Sequence, residues 1–187
     1  MKHTESESRK SRIPLDPIEQ ISREDLIRLV RVYAKNWLAH DGCWFLAAEE
    51  RYGLETAMEL DTRSWERFAA AEAKRIMKEF GIPLNGGLPA LKRALRFRLY
   101  AAINRQEIET PESNTLIFHM VECRVQQARR EKALPEFPCK SVGMVEFSTF
   151  ASTVDDRIET RCHNCPPDPV RDSYCTWEFT IDSGWET

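Results

Sequence analysis

From Leu26 onward, apolar side chains recur every three or four positions through Leu29, Val30, Tyr33 and Trp37, and this spacing predicts an amphipathic helix to about residue 39. Ser22-Arg-Glu-Asp25 opens it with the form of a capping box, in which a side-chain oxygen accepts from an amide three residues on. His40-Asp41-Gly42 interrupts the stripe, so Asp41 is expected to cap a second helix that stops at Gly53. Residues 54–61 read as a short helix. Thr62 opens a longer one in which Trp65, Phe68, Ala69, Ile76 and Phe80 share a face, and Gly81 ends it. Pro83 and Gly86-Gly87 mark a loop, and Pro89 suits the first turn of a helix reaching about residue 103.

Beyond Asn104 the period shortens to two. Residues 106–110 and 115–125 predict a hairpin, 157–162 and 174–182 two further strands, and 141–153 a helix; the polar stretch 126–132 fits either strand or helix. The expectation is an α+β fold. A flexible tail over residues 1–21 precedes one domain over 22–187, with four or five helices in 22–104 and a small antiparallel sheet under one covering helix in 105–187.

Charge changes this picture little. The 27 basic and 30 acidic side chains nearly cancel, leaving no broad cationic field for nucleic acid or an anionic membrane. No apolar run is long enough to span a bilayer and the start lacks the hydrophobic stretch of a secretory signal, so a cytoplasmic protein with a small molecule as its partner is expected. Cysteine usage changes more. Five of the six cysteines follow residue 120, and in a reducing compartment such residues serve as thiols, ligands or catalysts before they serve as disulfides.

Cys162-His-Asn-Cys165 is followed by Pro166-Pro167, which holds two sulfurs on a stiff turn. Alternation places Cys175, Trp177, Phe179 and Ile181 on one strand face, Ile158, Thr160 and Cys162 on another, and Ile117, His119, Val121 and Cys123 on a third. If these faces lie on the covered side of one sheet, their thiols converge with Cys139, which stands where helix-start amides stabilise a thiolate. Four soft ligands, Cys139, Cys162, Cys165 and Cys175, with Cys123 or His163 as substitutes, would suit tetrahedral zinc or an iron–sulfur cluster, although structural zinc sites usually present two close pairs and this chain has one. The alternative is a small-molecule hydrolase with Cys139 or Cys165 as nucleophile and His119 or His163 as base, or a ligand-binding module without chemistry. The bland alternative is a set of inert buried thiols. Cys43 stands apart from all of these.

Glu72 shares the buried spacing of Trp65 and Ile76 and must have a partner. An arginine such as Arg51 or Arg98 is the favoured one, whereas a pocket shared with His40, Asp41, Glu49 or Glu50 would make Glu72 a proton carrier or metal ligand.

The segments HDGCWFLAAEERYGLETAMELD, SWERFAAAEAKRI, MVECRVQQARREKAL, FPCKSVGMVEFSTFA and CHNCPPD with YCTWEF resemble an uncharacterised prokaryotic family of cytosolic proteins of unknown function, over about residues 24–182. That family is more loosely similar to the aminothiazoline-carboxylate hydrolases. The resemblance implies helices leading, a cysteine-bearing sheet closing the chain and, from the looser match, ring-opening hydrolysis with a catalytic cysteine.

Overall fold

The computed structural model describes residues 18–182, so most of the tail expected over residues 1–21 lies outside the described part. Helix α1 (Arg23–Tyr52) starts at Ser22, whose hydroxyl accepts from the Asp25 amide at 3.1 Å. It then runs through His40-Asp41-Gly42 without the expected break. An interior glycine costs a helix only about 1 kcal/mol, and Leu38 and Phe45 on either side both pack on the core, which outweighs that cost. Gly53, at φ 84°, ends the helix as expected.

Helix α2 (Leu54–Phe80) also corrects the expected boundary at Thr62. The Thr62 hydroxyl donates back to the Met58 carbonyl at 2.7 Å, which satisfies it inside the helix instead of at a cap. Gly81 closes α2 in the left-handed region. Helix α3 (Gly87–Leu95) is shorter than expected, because Arg98 takes an extended backbone and the chain resumes only as a 3₁₀ turn at Leu99–Ala102.

Four strands follow: β1 (Gln106–Glu112), β2 (Thr115–Met120), β3 (Ile158–Asn164) and β4 (Cys175–Ile181), in the antiparallel order β1-β2-β4-β3. The face of β2 is the reverse of the expected one. Leu116, Phe118 and Met120 are buried, and Ile117 and His119 face the other way. The strand ends at Met120, where the Val121 and Glu122 amides both turn back to the Arg105 carbonyl, and the polar stretch becomes helix α4 (Arg124–Glu131).

Helix α5 (Lys140–Val154) packs between α2 and the sheet. Gly143 makes this possible, since a Cβ there would stand 2.8 Å from Cζ2 of Trp177. Trp177, Phe179, Phe118 and Phe150 are fully buried at this junction, each contributing on the order of 2–3 kcal/mol. The fold is therefore α+β, helices first, with α5 covering a four-stranded antiparallel sheet. Among the described residues no helix is long and apolar enough to cross a membrane.

Candidate functional site

The start of α5 and the turn after β3 are tied together by a bond from the Lys140 amide to the Pro166 carbonyl at 2.9 Å. This tether stands beside Cys139 on one segment and Cys165 on the other, and their sulfurs lie 3.5 Å apart. Cys165 is buried, and the neighbouring thiols of Cys162 and Cys175 also act on it. Three thiols thus stand around a fourth. The thiols of Cys139, Cys162 and Cys175 hold the Cys165 proton in place and raise its pKa far above the ordinary value, while the Cys165 S–H in turn holds Cys139 and Cys162 below theirs. Gln126 adds to the effect at Cys139. Its amide donates to Cys139 Sγ at 3.6 Å and is itself braced in both directions on the Phe137 backbone.

Cys162 has a second helper in the Lys140 cation, which is paired with Asp168 at 2.7 Å. Cys123 precedes α4, and burial pushes its thiol up to about 12. Cys43 is exposed on α1. His119 and His163 stand on the opposite face of the sheet. His119 Nδ1 lies 3.2 Å from Thr176 Oγ1 and His163 Nε2 lies 3.1 Å from Glu178 Oε2, so neither reaches the sulfurs. Among the described residues, no group of three or more His, Cys, Asp or Glu side chains is arranged to hold a metal ion. The sulfurs surround another sulfur and do not share an empty point.

The thiols of Cys139, Cys165, Cys175 and Cys123 line a cavity of about 810 Å³. The carboxyls of Asp41, Asp61 and Glu146 line it as well. Arg98, fully buried, donates to Glu72 at 2.9 Å and to Glu146 at 2.6 Å. Glu72 therefore has the arginine partner expected for it. Burial disfavours the Arg98 charge, but Glu146 and Glu72 outweigh it and raise its pKa. Its guanidinium lies 4.7 Å from the Phe150 ring centre, with Trp65, Tyr100 and Phe147 around it. Burial raises Glu146 despite Arg98, and it raises Asp41 against the pull of His40. Asp61 is pushed up to about 7, first by burial and then by the charges of Asp41 and Glu146. Glu49 is held elsewhere, in a two-pronged pair with Arg129 at 2.9 and 3.1 Å that ties α1 to α4.

A family model described as a family of unknown function matches residues 19–181. The chain belongs to the family of unknown function DUF6125. No curated protein and no solved structure matches it. None of these comparisons extends to the aminothiazoline-carboxylate hydrolases.

The DUF6125 chain carries two cavity residues, Asp61 and Glu146, and one residue behind Cys139, Gln126, that sequence reasoning passed over. Asp61 falls four positions before Trp65 and eleven before Glu72, on the same buried stripe of α2. Glu146 lies between Val142 and Phe150 on α5. Both carried the signal that singled out Glu72, a carboxylate at core spacing. Gln126 gave no such signal, because its role depends on the turn of chain that brings Phe137 back to α4.

Proposed function

We propose that this DUF6125 protein is an enzyme acting on a small molecule held in the cavity, with the Cys139 thiolate as its nucleophile. The observation that carries this reading is the placement of Cys139: at the cavity wall, beside the first turn of α5, with donors from Cys165 and Gln126 directed at its sulfur. A thiolate is the reactive form of cysteine, and donors beside it favour that form. Asp61 on the same cavity supports the reading, since a carboxyl titrating at about 7 can both take and return a proton near neutral pH. Hydrolysis of an electrophilic carbon is the form of this chemistry that the looser resemblance implies, and here it rests on the thiolate and the carboxyls.

A second reading assigns Cys139, Cys162, Cys165 and Cys175 to zinc or an iron–sulfur cluster. Its support is the meeting of four thiols at Cys165, since ligand sulfurs on one zinc stand roughly 4 Å apart and Cys139 and Cys165 are 3.5 Å apart. For this reading the surrounding sulfurs would have to shift until all four face a common point.

Alkylation separates the two. Iodoacetamide applied to the native protein at a series of pH values, with peptide mapping, should label Cys139 ahead of Cys123 and Cys165, with a midpoint below the ordinary thiol value and the same rate with or without a chelator. Cys139 labelled no faster than Cys123 overturns the nucleophile, and labelling that begins only after chelator, together with stoichiometric zinc or iron, establishes the metal.

A further inference from the structure

Cys165 does not touch Cys139 alone. Cys162, its partner across the Cys-x-x-Cys turn, lines a different hollow: a shallow outer cleft of about 450 Å³ beside Met58, Lys140 and Met144. One buried sulfur therefore stands 3.5 Å from a thiol on the inner cavity and is joined by the short Cys-x-x-Cys turn to a thiol on the outer cleft. The backbone tie between Lys140 and Pro166 keeps the two segments that carry Cys139 and Cys165 together. We propose that Cys139, Cys165 and Cys162 form a thiol relay that carries two electrons from a small-molecule thiol at the outer cleft to a hydroperoxide in the inner cavity. The relay rests on Cys139 being the reactive thiolate of the preceding section and adds to it a reaction and a direction.

Each step balances. The Cys139 thiolate attacks the hydroperoxide; an S–O bond forms, the O–O bond breaks, and the departing alkoxide takes a proton to leave as an alcohol. Cys139, now a sulfenic acid, is oxidised by two electrons. Cys165 then attacks that sulfur, the S–S bond forms, the S–O bond breaks, and the hydroxyl leaves as water with the Cys165 proton. The Cys162 thiolate next attacks Cys165 and displaces the Cys139 thiolate, which restores the inner site and moves the disulfide to Cys162–Cys165. Two external thiols reduce that disulfide through a mixed disulfide on Cys162. The sum is one hydroperoxide and two thiols converted to one alcohol, one water and one disulfide.

The geometry gives each sulfur a distinct place. The inner cavity is walled largely by apolar side chains such as Phe45, Phe137 and Trp177, which suits an organic hydroperoxide and disfavours a charged thiol reductant. The outer cleft is shallow and carries the Lys140 ammonium, where such a reductant can approach. Cys165, almost fully buried and held protonated, is a poor nucleophile toward either solute and reacts once Cys139 beside it has been oxidised. Cys175 lines the inner cavity and not the outer cleft, and so offers no path outward.

The test uses the full chain, reduced and then freed of reductant, treated with one equivalent of cumene hydroperoxide, blocked with N-ethylmaleimide at intervals and mapped by mass spectrometry. A Cys139–Cys165 linkage should appear first and give way to Cys162–Cys165. In Cys162→Ser the first linkage should persist about tenfold longer in the presence of glutathione, and in Cys165→Ser dimedone should trap Cys139 as the sulfenic acid. Time courses on the unaltered protein keep the test valid should a variant fold poorly. Cys139 alkylated as described above but never linked to Cys165 overturns the relay and leaves the nucleophile standing. A Cys162–Cys165 linkage formed equally fast in Cys139→Ser, or one between Cys165 and Cys175 that persists, also overturns it. Cys139 inert to alkylation and peroxide alike overturns both.

Discussion

Two polar clusters, a carboxyl end at Arg98 and a thiol end at Cys165, bury their groups in opposite ways. At the carboxyl end, Glu72 and Glu146 share one guanidinium, and the charges hold α2, α5 and the chain at Arg98 to one another. At the thiol end no residue of opposite charge touches Cys139 among the described residues; its sulfur is held by neutral partners, the Cys165 thiol and the Gln126 amide. An ion pair in the interior is costly to break, since the survivor is left charged and dry. A cluster of thiols can gain or lose a proton or two electrons within the same set of atoms. The carboxyl end is thus built to stay as it is, and the thiol end is built to change.

Removing the shared cation should break this contrast most severely. Arg98→Met leaves Glu72 and Glu146 facing one another without it, and denaturant unfolding at neutral pH should show a loss of about 3–5 kcal/mol. The loss should shrink at about pH 5 as the carboxyls take up protons; a variant equally stable at both values would mean that the pair is not what holds these elements. A subtler probe is Asp61→Asn. Asp61 titrates at about 7 in the fold against an ordinary 3.8, so the folded state holds its proton through that interval while the unfolded chain has lost it. Its contribution to stability therefore declines as pH rises from about 4 to about 7 and is flat above. Thermal melts across this window should show the asparagine variant gaining on the parent as pH rises, and parallel curves would place Asp61 in solvent. The smallest effect belongs to the thiol end. Cys139→Ser should cost less than about 1.5 kcal/mol, as expected for a near-isosteric exchange at a half-buried position, and a larger loss of melting temperature would show that the sulfur is part of the scaffold.

How far the chain could be read in advance depended on whether the deciding interaction was local. Ser22, Gly53 and Gly81 act through their own backbone, and each marks its helix end as anticipated. The Glu72–Arg98 pair was also legible, because a carboxylate on an apolar stripe calls for a cation. Local signals misled where packing on either side overrode them, as at Gly42 and Thr62. On β2 the pattern itself was ambiguous: residues 115–121 carry apolar side chains on both faces, so a slip of one residue exchanged Phe118 for His119 at the core. A convergence of Cys139, Cys162, Cys165 and Cys175 was expected through the covering helix, and Cys139 and Cys165 do meet; the central place of Cys165 was not foreseen. It depends on the Lys140–Pro166 bond, between residues far apart in the chain.

One residue without a side chain sets the tolerance of the thiol end. The Gly143 amide donates to the Cys139 carbonyl at 2.7 Å, one helical turn away, so Gly143 and Cys139 move as a rigid piece. Gly143 also rests directly on the Trp177 ring, with no room for a methyl group between them. The indole is therefore the seat on which the helix sits, and the seat height sets how far the Cys139 sulfur hangs from its neighbour across the gap. Proton sharing between sulfurs weakens steeply with added separation. A glycine with no charge and no side chain acts as the spacer against which the distance between two reactive atoms is gauged.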